Sequence, residues 1–524
     1  NLGGALTSQN TNGGLQVPCY YTIGNSSSQP TTSVKYDAQY ASKRLDAVYL
    51  YGDLTWKEML TLNFSVRHDW SSSLTYRDGH GDYEYSYPSV GLAWVFTELP
   101  SFRNSNSVLS FGKLRASLGY TGYDATPYYT NSAGAYSLTS SPFNAPGNNN
   151  QSIYTFNGSV LGNLNLKNEL AREIELGADL RFFDNRLGVD IAWYKKNAFN
   201  QILELATTNE SGGSSKLVNA GNIQNQGWEI LLTANPIRGH DFNWDMTVNF
   251  TRNRNKIIEL ADGVKNKSLE LAFGADVQAY AVAGEDYGTV ITGYGYGIYH
   301  TQDGSASAAN GKRVIGNAPN GSADLTFLRS QDYDGSTKTL GNIMEKFMLG
   351  TTQSLRYKNF TLGLQVDGKF GGLMASATHQ YGSNTGAFKN SLFGRDAAHG
   401  GVTYTDAGGV SHDDGIIPDG VLNDGIKSIA GGVELGGMTF ADAVSKGYLR
   451  PVSAQNYYND LSQWSSGIRE YSIFENSWVA VRELSIGYNL PAHIYKKISM
   501  NGLRVSLIGR NLVYLYKTLP DDLN

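Results

Sequence analysis

The most constraining feature of this chain is a run of about ten residues, repeated along its length, in which apolar and polar side chains alternate one by one. In "LTLNFSVRHDW" (60–70), Leu60, Leu62, Phe64, Val66, His68 and Trp70 share one parity, and Thr61, Asn63, Ser65, Arg67 and Asp69 the other. A strand points successive side chains to opposite faces, so the segment is a ribbon with one apolar and one polar face. The same scheme returns in "KLRASLGYTG" (113–122), "EIELGADLRFF" (173–183), "FNWDMTVNFT" (242–251) and "FTLGLQVDGKF" (360–370). Runs of about ten residues match a tilted membrane-crossing strand and exceed the ~5–6 usual in globular proteins. Helical periodicity is nearly absent, so the chain is all-β.

The apolar faces cover either a soluble core or lipid, and alternation alone does not choose. The connections do. Short ones join neighbouring strands at "TWKE" (55–58), "FDNR" (183–186), "PIRGHD" (236–241), "YKN" (357–359) and "PAHIYKKISMNG" (491–502). Long polar stretches at 71–86, 121–169, 251–285 and 371–475 lie between them. Short turns at one end and long loops at the other are the pattern of an outer-membrane barrel, and loops this long are uncommon in compact soluble domains. Counting hairpins predicts about fourteen strands. The polar faces carry many Ser, Thr, Asn and Gly with isolated charges (Arg67, Arg115, Arg181, Asp245), which suits a hydrated lumen. Aromatic pairs near strand ends (Tyr85 and Tyr87, Trp94 and Phe96, Trp193 and Tyr194, Tyr514 and Tyr516) suit the belts found at membrane interfaces, or ordinary packing over a core. The fold expected is a transmembrane antiparallel β-barrel with long extracellular loops.

Composition removes several alternatives. Only 17% of the 524 residues are charged and the net charge is -5, so nothing suggests a nucleic-acid partner. The 60 glycines suit many turns and long loops, and the 34 tyrosines suit wet interfaces, membrane boundaries and sugar-binding surfaces. A single cysteine, Cys19, excludes an intramolecular disulfide framework and a cysteine zinc site. No stretch reaches the ~18 apolar residues of a spanning helix. The opening "NLGGALTSQN" lacks the basic and apolar regions of a signal peptide, as expected of a mature chain, a fragment or a cytosolic protein.

The residues offer little enzyme chemistry. The eight histidines (His68, His80, His240, His300, His379, His399, His412, His493) show no HExxH or similar spacing, and no nucleophile elbow or phosphate-cradling glycine loop is present. "GYGYGIY" (293–299) alternates glycine with aromatics and reads as strand and girdle. The acidic loop "HDDGIIPDGVLNDG" (412–425) offers Asp413, Asp414, Asp419 and Asp424 to calcium but fits no calcium-loop spacing; solvated turns are the commoner use of such a loop. "DYDGS" (332–336) is weaker still. No enzyme, cofactor or metal is expected.

Several segments, in order from about residue 36 to the end, resemble SusC/RagA-type transporters, the TonB-dependent importers of Bacteroides-type outer membranes. They are "YPSVGLAWVFTE" (87–98), "LSFGKLRASLGYTG" (109–122), "GNLNLKNELAREIELGADLRFFDNRLGVDIAWYKKNAFNQIL" (162–203), "NAGNIQNQGWEILL" (219–232), "GYGYGIY" (293–299), "SWVAVRELSIGYNLP" (477–491) and "LRVSLIGRNLVYLY" (503–516). The resemblance implies a 22-stranded barrel, a plug in its lumen and a SusD-like lipoprotein lid. The family's N-terminal half (extension, TonB box, plug and first strands) is not readable here. The chain is therefore expected to be the C-terminal part of such a barrel, in a bacterial outer membrane.

The function expected is TonB-energised import of a large nutrient, oligosaccharide in preference to peptide, with a SusD-like partner and TonB acting through the missing N-terminal part. The alternatives are a passive porin or structural surface protein, and a secreted β-rich enzyme or adhesin. Ligand contact is expected from loop aromatics: Tyr128, Tyr129, Tyr136, Tyr381, Tyr457, Tyr458 and Trp464. Each of these suits loop packing or contact with the lid equally well. The 371–475 segment is expected to be ordered, since Tyr381, Phe388, Phe393, Tyr404 and Tyr448 give it apolar anchors, and its middle is expected to meet the lid.

Overall fold

The computed structural model describes residues 43–523 apart from 77–78, 104–107, 128, 131–135, 141–151, 157–159, 164, 207–214, 262, 302–303, 320–323 and 496–499. Twelve strands follow one another in chain order as an antiparallel meander. They are β1 (Leu45–Trp56), β2 (Leu60–Ser71), β3 (Glu84–Val95), β4 (Leu109–Tyr123), β5 (Glu169–Phe182) and β6 (Leu187–Ala206). Then come β7 (Ser215–Arg238), β8 (Phe242–Glu259), β9 (Glu345–Tyr357), β10 (Phe360–Gly371), β11 (Trp478–Asn489) and β12 (Arg504–Lys517). A two-residue strand, Val160–Leu161, adds to the start of β7 in parallel.

Connections alternate as expected. Residues 57–59, 96–108, 183–186, 239–241, 358–359 and 490–503 turn the chain at one end. Residues 72–83, 124–168, 260–344 and 372–477 join strands at the other, where β6 also ends and β7 begins. The tight 183–186 turn holds Phe183, Asp184 and Asn185 at φ 55, 56 and 62, a left-handed run that Asp and Asn tolerate better than most residues. Pro236, which lacks an N–H, sits where the β7–β8 register shifts between Ala234 and Ile237, so its missing donor falls at a bulge.

The burial of the wall is inverted relative to a water-soluble sheet. On β3, Glu84, Ser86, Pro88, Val90, Leu92 and Trp94 are exposed, while Tyr85, Tyr87, Ser89, Gly91, Ala93 and Val95 are the more covered set. The apolar parity is thus the open, outer one and the polar parity lines the enclosed side. Register carries this across the wall. Leu62, Leu92, Ala116, Leu176, Trp193 and Trp228 form one outer row, and Asn63, Gly91, Ser117, Glu175, Tyr194 and Gly227 one inner row.

The inner rows are polar and paired. The Arg115 guanidinium donates to both oxygens of Asp190 at 2.7 and 3.2 Å and to Glu175 at 3.2 Å, lying across Gly177, where a Cβ would collide with it. Such forked pairs are the stronger kind of ion pair. Near the short-turn end, outward polar groups satisfy one another: the Trp244 indole N–H donates to Gln353 at 2.7 Å and the Gln353 amide to Thr351 at 2.7 Å. That limits the cost of polar groups facing lipid.

Three departures from the sequence reading have physical causes. The wall has twelve strands rather than about fourteen, because residues 260–344 form one connection and "GYGYGIY" lies inside it, with Tyr296 and Tyr299 buried among loop residues. Second, β6, β7 and β8 run to 20, 24 and 18 residues, well past the ~9–11 that cross a bilayer. Their long-loop ends extend past the bilayer, where no lipid enforces alternation. Third, Tyr85 and Tyr87 belong to the inner face rather than an outer belt: the Tyr87 hydroxyl donates to Asp69, and Tyr85 packs with Leu74, Ala125, Leu166 and Leu217.

The 260–344 and 372–477 connections fold together into a cap. Tyr296, Ile315 and Phe327 from the first share one core with Leu422, Ile426, Leu435, Phe440, Ala443, Leu449, Leu461 and Ile468 from the second. Val421–Leu422 adds in parallel to strand Val314–Asn317, so the two connections also share a sheet. Helices α1 (Ala377–Asn384), α2 (Phe440–Ser445) and α3 (Ala454–Ser462) are N-capped by the hydroxyls of Ser376, Thr439 and Ser453.

The two faces of β2 should respond differently to charge. Arginine at Phe64, on the outer face, is expected to cost about 2–4 kcal/mol of folding stability in bilayers, and Ser65→Arg to leave folding nearly unchanged. Equal penalties in unfolding titrations would overturn the facing. Sidedness is tested by epitope tags on intact cells: a tag at Gly409, the exposed hairpin tip of the cap, is expected to be labelled, and one at Lys358 to be labelled only after permeabilisation. The reverse pattern would invert the topology.

Candidate functional site

The cap gathers some of the expected aromatics and separates the others. Tyr381 on α1 and Trp464 just beyond α3 stack face to face, with ring centroids 5.1 Å apart and planes 9° from parallel. Both stay open to solvent, at 51% and 45% exposure. Elsewhere, α1 and α3 border a polar cleft of about 500 Å³ lined by Ser383, Asn384, Thr385, Ser391, Arg395, Asp414, Gln455, Tyr458 and Asn459, which neither Tyr381 nor Trp464 lines. That volume lies in the range of small-molecule sites.

The cleft walls hold directional donors and acceptors. The Asn384 amide donates to the Asn459 side-chain oxygen at 2.9 Å and its carbonyl at 3.1 Å, tying α1 to α3. Arg395 is held by the Ser391 carbonyl at 2.8 Å and by the Gly386 carbonyl. Asp414 keeps one carboxylate oxygen, Oδ1, buried without a hydrogen-bond partner among the described residues. An unpartnered buried acceptor is costly.

A buried arginine positions the aromatic pair. Arg469, fully buried, donates to Asp276 at 2.8 and 2.9 Å and to the Gln463 carbonyl at 3.1 Å, and also to the Trp464 carbonyl. Its guanidinium lies 4.9 Å from the Trp464 ring centroid and 5.3 Å from that of Phe273. Asp276 and Phe273 come from the other connection, so this residue fastens the two halves of the cap at the base of the Trp464 ring. Nearby, Asn390 and Ser472 hydrogen-bond the two ring nitrogens of His379, at 3.0 and 2.9 Å, and Ser472 donates to Gln380 at 2.6 Å. This buried chain fixes α1, and with it Tyr381.

The remaining expected residues lie elsewhere. Tyr457 and Tyr458 sit in the cap's interior, edge to face with centroids 5.1 Å apart, and the Tyr458 hydroxyl donates to the Asn390 carbonyl at 2.8 Å. Burial pushes the Tyr457 phenol up to about 12 and raises that of Tyr458, so both stay protonated. Tyr458 reaches the cleft as part of its wall; Tyr457 packs towards Phe327. Tyr129, 37% exposed, belongs to the β4–β5 connection. Tyr128 lies outside the described residues, and of Tyr136 only the backbone is described, opening strand Tyr136–Ser140.

The acidic loop 412–425 is dispersed rather than convergent. Asp413 accepts from the Ala397 N–H at 3.3 Å, Asp414 faces the cleft, and Asp424 accepts from the Tyr299 hydroxyl at 2.9 Å. Among the described residues no three His, Cys, Asp or Glu side chains gather as a metal site. Sequence reasoning missed Asn384, Arg395, Asn459 and Arg469, because polar loop residues follow no period that marks them before the loops are folded.

An antiparallel meander with an apolar exterior, a polar interior and a folded cap defines the wall and mouth of an outer-membrane barrel. The chain belongs to the family described as TonB dependent receptor-like, beta-barrel, whose profile matches residues 2–408. Its place is the bacterial outer membrane. It is 25% identical to TonB-dependent receptor P3 of Formosa agariphila over 467 residues, 86% of this chain and 39% of that protein. It is 24% identical to TonB-dependent receptor SusC of Bacteroides thetaiotaomicron over 337 residues, 58% of this chain and 29% of that protein. The solved RagAB peptide transporter has the same fold at a TM-score of 0.59 and 16% identity, over 94% of this chain and 47% of that one. The chain thus spans less than half the length of these relatives.

Removing the clamp should loosen the cap and spare the wall. Arg469→Ala leaves Asp276 without its cation, a loss of about 3 kcal/mol or more for a mostly buried pair. Hydrogen exchange is expected to accelerate across 454–472 while β2–β8 stay protected. Unchanged exchange in the cap would remove Arg469 from this role.

Proposed function

We propose that this chain is the C-terminal part of the barrel of a TonB-energised importer, and that its cap takes part in capturing a large nutrient before transport. The observation that carries the capture role is the open Tyr381–Trp464 stack, in a cap whose helices α1 and α3 also border a polar cleft. An oligosaccharide suits both features: the flat C–H face of a sugar ring rests on aromatic faces, and its hydroxyls meet Asn384, Asn459, Gln455 and Asp414. A second reading, peptide cargo, is favoured by Arg395 and Asp414, which offer opposite charges to a peptide's termini, and by the RagAB transporter, which is named for peptides.

The wall itself does no covalent chemistry in this reading. Beyond the described residues, β1 and β12 each need a further strand partner, because a bare strand edge is not tolerated in lipid. Strands outside this sequence supply those partners in our proposal. A plug and TonB box elsewhere in the protein supply the coupling, and a SusD-like surface lipoprotein closes over the mouth. A passive porin is the alternative.

The test is oligosaccharide uptake and binding by the complete transporter. Tyr381→Ala with Trp464→Ala is expected to weaken oligosaccharide binding by at least tenfold, with peptide binding unchanged. Uptake of the same sugar should vanish in a strain lacking TonB. Binding untouched by the double substitution would remove the platform, and uptake that persists without TonB would return the protein to the porins.

A further inference from the structure

The outer face of β5–β8 carries a cationic belt at its long-loop end. Three neighbouring register rows there read Trp193, Trp228, Arg252; then Lys195, Gln226, Arg254; then Arg172, Asn197, Gln224, Lys256. All share the parity of the apolar row directly below: Ile191, Ile230, Phe250 and Leu349. Five cations therefore stand on the membrane-facing side, above two tryptophans.

Carboxylates offset part of this charge: Asp286, and Glu259, which stands opposite Asn222 one register row above, share that face and leave it net positive. Arg254 pairs with Asp286 at 2.8 Å, and Asp286 stands opposite Lys256 on the same face. Glu285, one residue earlier, has the opposite parity, as does Glu345, which pairs with Gly371 one residue past the outward Phe370. Glu475 lies 3.8 Å from Lys346. Arg172, Lys195 and Arg252 have no ion-pair partner among the described residues; Arg172 rests 5.6 Å over the Phe199 ring. Arg252 also borders a groove of about 910 Å³ between the end of β8 and the start of β9, where Phe250, Met344 and Phe347 meet the carboxylates of Glu285, Asp286, Glu345 and Glu475. The Phe250 and Phe347 centroids are 5.8 Å apart, and Phe347 stacks on Phe370 at 4.6 Å.

We infer that this face seats a membrane lipid whose headgroup carries phosphates, with its acyl chains on the apolar row. Arginine forks match phosphate oxygens, long cationic side chains keep their stems on apolar surface while the charge reaches the headgroup layer, and the amides of Gln224 and Gln226 add neutral donors between them. The inference rests on the reading that this end of the wall lies at the outer leaflet, which the Gly409 and Lys358 tags test separately.

The experiment uses the complete transporter in non-ionic detergent, titrated with diphosphorylated lipid A and followed by native mass spectrometry. Arg172→Gln/Lys195→Gln/Arg252→Gln is expected to weaken lipid A binding at least tenfold, with heat-modifiability on a gel retained. The same charge removed at the short-turn end, Lys57→Gln/Arg186→Gln/Lys358→Gln, is expected to leave binding unchanged, as is exchanging lipid A for phosphatidylcholine in comparing the two variants. Should the triple variant fail to fold, Arg252→Gln alone carries the test, with Arg252→Lys expected to restore most of the binding. Equal loss in both triple variants means general electrostatics and overturns the inference. Displacement of lipid A by millimolar inorganic pyrophosphate would make this a site for free anions and also overturn it.

Discussion

The structure depends on one rule of the bilayer: each backbone N–H and C=O at membrane depth needs a protein partner, because hydrocarbon offers none. An antiparallel meander meets this rule with short turns, and it locks register across the whole wall. Once register is locked, the parity of one strand fixes the parity of its neighbours. Leu62 and Trp228 share a face five strands apart because every ladder between them holds its pairing. A slip of one residue would bring the Arg115–Asp190–Glu175 cluster into lipid.

The cap answers to a different constraint. Its two connections leave from β8–β9 and β10–β11, four consecutive strands, and share a core. Tyr296, Ile315 and Phe327 would lose their cover if the residues around Leu422 to Leu449 were removed. The 371–475 segment is therefore half of a folded unit rather than a detachable loop. Arg469 makes the dependence specific, since its charge is balanced by Asp276 from the other half.

Legibility in the sequence followed the physics. The wall was readable because lipid on one side and water on the other impose a period of two, and "LTLNFSVRHDW" shows it without a break. Reading failed where that contrast fades. "GYGYGIY" alternates like a wall strand, but its tyrosines are buried in the cap, where period-two patterns arise from local packing. Tyr85 and Tyr87 have the right type for a girdle, yet their odd parity, shared with Ser89 and Gly91, already placed them inside. Of the site, the aromatics were visible by type, but nothing in the one-dimensional pattern distinguished Tyr381 and Trp464 from Tyr457 and Tyr458. That distinction arises from which side of α3 and its C-terminal end faces the shared core, a tertiary fact.

Clamp and wall together decide what the aromatic pair can do. Tyr381 is set by α1, whose buried His379 is held by Asn390 and Ser472, and Trp464 is set by the Arg469 clamp. The two rings thus come from separate helices, each fixed by its own buried polar network, and meet 9° from parallel with their outer surface open. A pair held this way loses little side-chain freedom when a ligand arrives, so more of the contact energy appears as affinity. Two exposed aromatics on a mobile loop would have to be ordered first. The polar interior of the cap therefore serves the open site by keeping that surface ready before any ligand binds.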